Sequence, residues 1–157
     1  MAAVDLTNTP IDLITSDAVA RGIHTTTIKI DFLLNPSLLT AATHLIYEMP
    51  AGAALLPGSA GYITTAVTGT LASNTITFAY GGSAIGAART GDALGSGFGL
   101  GPENTAAGNA GMYQAAAADI TMTTSHVSTA GVIVLVLIWA DIGNALSAGY
   151  REGTGVV

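Results

Sequence analysis

Apolar and polar positions alternate along much of this chain, and one run breaks the alternation. From Val132 to Ala140 every residue is apolar, and the run is bounded by Gly131 and Asp141. Nine residues are few for a helix and too few for a membrane-crossing one, while Val and Ile favour the pleated strand, so the run predicts a buried β-strand. Successive side chains of a strand face opposite ways. Ile133, Leu135, Leu137 and Trp139 then share one face, and Val132, Val134, Val136, Ile138 and Ala140 the other. Antiparallel sheets commonly leave one face wet, yet here both ask for burial, at about 1.5–3 kcal/mol per large side chain. A second layer of the chain or a neighbouring subunit is expected over the second face.

Period-two patterns recur elsewhere. Thr25 to Leu34 sets Ile28, Ile30, Phe32 and Leu34 against Lys29 and Asp31, a half-buried strand ended by Asn35, Pro36 and Ser37. Thr43 to Met49 predicts another, with Leu45, Tyr47 and Met49 on one side and His44, Ile46 and Glu48 on the other. Pro50 to Gly52 and Pro57-Gly58 punctuate the chain next. Gly61 to Gly69 and Asn74 to Tyr80 are Thr-rich strands whose short separation suits a hairpin, so they are expected to pair. Asp119 to Thr124 is a further strand, and Ser125 to Ala130 turns the chain into the long apolar run. Helical turns are expected at most over Ser37 to Thr43 and Ala115 to Ala118, both too short to stand alone.

Between Gly81 and Gly111 the chain is dense in Gly and Ala and holds no lasting period. Loops of that length are either functional or disordered. The whole therefore predicts one all-β domain, an antiparallel β-sandwich of jelly-roll-like type. Its parts are an extended N-terminal arm (1–22), the sandwich (23–142, interrupted by the loop 81–111) and a C-terminal tail (143–157).

Composition narrows the function. Hydrophobic residues make up 50% of the chain but aromatics only 6% and charged residues 9%, so the surface is unusually uncharged. Ten acids stand against Arg21, Lys29, Arg89 and Arg151, a net charge of −6, which is unsuited to a phosphate backbone. No nucleic-acid partner is expected. The absence of cysteine removes disulfides and thiolate ligands. Met1 to Pro10 has no basic stretch followed by an apolar core, so no secretory leader is expected and assembly in a cytoplasm is. An outer-membrane barrel, with strands alternating between lipid and lumen, does not fit the continuous run at 132–140.

Candidate chemistry is sparse. His44 and Glu48 would make a metal pair on a helix, but on a strand they lie ~13 Å apart. His24, His44 and His126 fall in separate contexts, so convergence on zinc is not expected. The run Gly95 to Gly101 lacks the G-x-G-x-x-G spacing, because Leu100 and Pro102 interrupt it, and no Gly-Lys-Ser/Thr follows; a flexible loop is expected. No G-x-S-x-G elbow anchors a hydrolase triad. Asp92, Glu103, Asp119 and Asp141 form no D-x-D calcium loop and are read as solvated or turn-capping acids. Trp139 could be a sugar-stacking platform, but a core or interface anchor is the better reading. No catalytic, cofactor-binding or metal-ligating residue is assigned, and no cofactor is expected.

Several of these segments together carry a resemblance. Tyr47-Glu-Met-Pro-Ala-Gly52, Ile63-Thr-Thr-Ala-Val-Thr-Gly-Thr70, Thr75-Ile-Thr-Phe78, a small-residue loop, Asp119-Ile-Thr-Met-Thr123 and Ser128-Thr-Ala-Gly131 leading into the apolar run resemble small all-β virion proteins of tailed bacteriophages. The resemblance spans roughly Ile46 to Ile142. Such proteins decorate or cement the capsid or form head fibres, and many share a Pro-Ala-Gly segment, a Thr-Ala-Gly turn and a hydrophobic final strand. What it implies is a noncatalytic structural component of a virion, most of all a capsid decoration protein. Its expected partners are further copies of itself, a trimer being the favoured oligomer, and the major capsid protein or another virion protein. A carbohydrate- or receptor-binding sandwich of a phage fibre or tail is the alternative, and no membrane partner is expected.

Overall fold

The structure is a computed structural model, in which residues 14–18 (backbone only), 23–69, 74–90, 97–101 and 112–142 are described. Their strands, in chain order, are β1 (Ile14–Ala18), β2 (Ile23–Asp31), β3 (Thr43–Met49), β4 (Ala53–Leu55), β5 (Ala60–Gly69), β6 (Thr75–Tyr80), β7 (Ser83–Ala84), β8 (Arg89–Thr90), β9 (Gly97–Gly99), β10 (Ala118–Thr124) and β11 (Ser128–Asp141). One sheet runs β1-β2-β11-β5-β9 with β4 alongside the end of β11, and the other runs β3-β10-β6-β7 with β8 also on β6. The pairings are antiparallel, and the fold is the expected all-β sandwich.

β11 is the axis of the first sheet. It pairs with β2 from Val132↔Asp31 to Ala140↔Ile23, and on its other side with β5 and then β4. Where the chain leaves β11 between β4 and β5, the buried Ser59 takes over: its Oγ accepts from Ile138 N at 2.8 Å. A ladder donor that would otherwise be orphaned is thereby satisfied. Ile133, Leu135 and Leu137 are fully buried against Phe78, Tyr80, Ile120 and Met122 of the second sheet's inner face, within one core. Burial is less complete on the other side of β11. Val132, Val134, Val136, Ile138 and Ala140 are half-buried, so the full cover expected over this face is not found among the described residues.

Gly131 marks a break in the register. The β5–β11 ladder shifts on both sides of it, its φ is +142°, and a Cβ there would stand 2.6 Å from Val67 Cα. Only glycine tolerates both the conformation and the approach of the neighbouring backbone.

Four expectations need correction. β5 and β6 do not pair with each other. β5 lies in the first sheet and β6 in the second, and inward-facing Ile63 and Ile76 belong to opposite walls of the core. Short spacing alone does not decide whether two successive strands share a sheet. In β3, Tyr47 pairs with Ile120 and Leu45 with Thr121, which leaves Ile46 as an extra residue. This bulge resets the alternation, so His44, Ile46 and Met49 point inward while Glu48 is exposed. β2 ends at Asp31, and Leu34 is 50% exposed rather than inward-facing. Ala115 and Ala116 form a bend, and Ala118 already belongs to β10; a single 3-10 turn, Pro36–Leu39, occurs where a short helix was expected between β2 and β3.

The described parts of the Gly/Ala-rich segment, 81–90 and 97–101, are also more structured than a loop. β7 and β8 pair with β6, and β9 pairs with β5. Phe98 and Leu100 are buried, Leu100 N donates to Ser59 O at 2.8 Å, and Gly101 N donates to Ile85 O at 2.8 Å. The chain thereby closes one side of the sandwich. Phe98 lies directly across from Gly61, where a Cβ would overlap its ring, and it stacks on Phe78 at 5.7 Å. Glycine in β5 makes the recess that an aromatic from a glycine-rich strand fills.

Candidate functional site

One candidate contact surface is the outer face of the first sheet. Along its centre run the half-buried Val132, Val134, Val136 and Ile138. β2 contributes Thr25, Thr27, Lys29 and Asp31, and β5 contributes Ala60 and Tyr62, the latter 47% exposed and opposite Val134. An apolar strip bordered by threonines is a surface suited to another protein. The ion pair on it, Lys29 Nζ to Asp31 Oδ2, is loose at 3.8 Å and 44% exposed on the lysine side, so it adds little to stability.

The weighed residues lie apart from one another. His24 stacks on Trp139 with ring centroids 4.2 Å apart, and Trp139 Nε1 donates to the buried Thr26 Oγ1 at 3.0 Å. Trp139 is only 8% exposed, which makes it a core anchor and leaves no platform for a sugar. His44 faces inward, 3.1 Å from Thr40 O through Nε2; because a carbonyl only accepts, Nε2 carries the proton. Glu48 points outward, so the bulge separates it from His44. Asp119 pairs across from Glu48, Asp141 across from Ala53, and Asp92 and Glu103 lie outside the described residues. Among the described residues no three His, Asp or Glu side chains gather as a metal site.

One polar cluster was not legible beforehand. The buried Asn74, at the entry to β6, donates from Nδ2 to Ser128 Oγ at 2.9 Å and accepts at Oδ1 from His126 N at 3.1 Å. Ser125 Oγ accepts from Thr75 N at 2.8 Å and lies 2.9 Å from His126 Nδ1. A serine beside a histidine invites a nucleophile reading. Here the hydroxyl is engaged in tying the β10–β11 turn to β6, and among the described residues no third side chain is seen to orient the imidazole as a triad would require. The cluster joins the two sheets at the end where β11 begins. Ordinary polar residues in a turn gave no signal of it.

Burial and hydrogen bonding also act on Tyr80. Its hydroxyl donates to Ala53 O at 2.9 Å, and burial, with a smaller contribution from Tyr113, pushes its pKa up to about 12. No helix among the described residues is long and apolar enough to cross a membrane.

No protein-family model matches the chain, and no curated protein does. A solved structure does. The fold resembles that of a chain in the capsid of Ralstonia phage GP4, with a TM-score of 0.51 at 15% sequence identity, over 87% of this chain and 92% of that one. At that identity the likeness is one of fold, and it extends over nearly all of the capsid chain.

Proposed function

We propose that this chain is a noncatalytic structural protein of a virus particle, a capsid decoration or cement component. It acts as a homo-oligomer packed on a lattice formed by another virion protein, foremost the major capsid protein. The observation that carries this reading is the fold shared with a chain of a phage capsid. The apolar outer face of the first sheet supports it, since a face of this kind on a chain with so few charges favours association with a second copy. Three copies suit the three-fold axes of an icosahedral shell. The buried state of Trp139 weighs against the glycan-binding alternative, which relied on an exposed aromatic platform.

Two measurements test the proposal. Sedimentation of the purified chain should give an oligomer, and quantitative mass spectrometry of the virion should find many copies in fixed ratio to the shell protein. A monomer present in a few copies, and retained by immobilised glycans, would replace this reading with the fibre-tip one.

A further inference from the structure

At the end of the sandwich where β11 begins, two turns carry three large apolar side chains into water. Leu33 is 66% and Leu34 50% exposed in the turn after β2, and Val127 is 44% exposed in the turn between β10 and β11. Phe32 N donates to Gly131 O at 3.0 Å, which brings both turns to the same end of the first sheet. The other two exposed large apolar side chains among the described residues lie elsewhere. Tyr62 stands on the outer face across from Val134, and Tyr113 bridges to Ala54 near the opposite end of β11.

Neither turn hangs free. Asp31 Oδ1 accepts from Leu33 N at 3.1 Å and Leu34 N at 3.3 Å, while Asp31 O accepts from Asn35 N and from Asn35 Nδ2. Asn35 is itself buried, and so is Asn74, which holds the second turn through His126 N and Ser128 Oγ. Polar side chains thus fix the backbone while the leucines point outward. A leucine left in water adds nothing to folding, and a backbone fixed beforehand lowers the ordering cost of binding.

We propose that this end is the docking tip of the molecule, with Leu33 and Leu34 inserting into an apolar recess of the shell protein. The proposal rests on the reading of the chain as a capsid decoration protein. Two turns projecting from the end of a sandwich bury little against their own copy, whereas a concave recipient encloses them. The apolar outer face of the first sheet is the surface that suits a second copy. Charge points the same way. Asp31 is occupied by two amides and by Lys29, so the tip is close to neutral on a chain of net charge −6. Anionic membranes also take up exposed leucines, but they bind through clustered cations. Of the described cations, Arg89 lies over the Phe98 ring and only Lys29 lies on the strand leading to the tip.

The test is co-pelleting with particles of the source virus assembled without this chain, and separately with phosphatidylglycerol vesicles. The variants are Leu33→Ser/Leu34→Ser and, at the opposite end, Tyr113→Ser. Both leucines are exposed, so the double variant should keep the melting temperature and β-type circular dichroism of the parent. Its affinity for particles should fall by about ten-fold or more, as for the loss of a central apolar anchor, while Tyr113→Ser binds as the parent does and no protein pellets with vesicles. Particle binding undiminished in the double variant would overturn the tip alone, and so would leucine-dependent pelleting with vesicles. A parent chain that ignores particles would overturn the underlying reading as well. Should the double variant misfold, Leu33→Gln alone reads the same loss.

Discussion

Phe98 decides whether the glycine-rich stretch is part of the core or an appendage to it. The ring is 6% exposed, stacks on Phe78 and lies over Gly61. Truncation of such a side chain to alanine costs about 3–5 kcal/mol, of which the aromatic pair accounts for about 0.5–1.5 kcal/mol. For a chain of this length each kcal/mol lowers Tm by about 2–4 °C, so Phe98→Ala should melt about 6–20 °C below the parent. The reciprocal change, Gly61→Val, forces a side chain into the ring and costs about 1–3 kcal/mol by overpacking. Combined, the two should cost less than their sum by about 1 kcal/mol or more, because the valine enters the space the ring has left. Urea titration followed by the emission of Trp139, the chain's single tryptophan, measures all four corners of the cycle. A loss below about 1 kcal/mol for Phe98→Ala, well short of the range for a buried aromatic, would show that β9 is dispensable. Strict additivity would show that the ring does not occupy the recess at Gly61.

Gly131→Ala should lose about 2–5 kcal/mol, combining positive-φ strain with the clash on Val67 Cα, and denaturant melts would read it directly. Asn74→Ala strands the groups it bridges and should cost about 2–3 kcal/mol, with amide hydrogen exchange at His126 accelerating beyond the global average. Trp139→Phe keeps most of the apolar volume but leaves buried Thr26 Oγ1 without its indole donor, a loss of about 1–2 kcal/mol by calorimetry. Tyr80 bears on alkaline stability. Its folded pKa, about 12, lies above the ordinary 10.0, so its contribution is fully present below pH 10 and disappears as pH rises toward 12. Ultraviolet titration should show one of the five tyrosines ionising late, and Tyr80→Phe should flatten the alkaline fall in stability.

The sequence made the walls of the sandwich legible and left its joints obscure. Period-two burial identified the inner faces of β2 and β11, because a side chain's direction on a regular strand follows from counting alone. Counting failed at Ile46, where a bulge inserts one residue, and at Leu34, where the Asp31 carboxylate stops the strand early. It failed again for β5 and β6, which are close in sequence but pair with the distant β11 and β10. β9 was hidden because Phe98 is a single apolar residue among glycines; its partner, the gap at Gly61, lies far away in sequence. The contact surfaces were half legible. The outer valines of β11 announced an unusual face, while the exposure of Leu33 and Leu34 depends on a capping bond that no periodicity records.

The position of β11 between β2 and β5 sets a timetable for synthesis. Asp31 leaves the ribosome long before Val132, its partner, has been made. At about 5–20 residues per second the wait is on the order of ten seconds, during which Ile28, Ile30 and Phe32 have no inner neighbour to pair beside. β5 waits for the same strand. The nascent chain can close the β1–β2, β5–β9 and β6–β10 ladders first, but the two parts of its larger sheet are joined only by a late, long-range step, the kind that makes β proteins slow to fold. Any surface built on β11 therefore comes into being only after residues 132–141 have cleared the exit tunnel, so incomplete chains have no such surface to offer to one another.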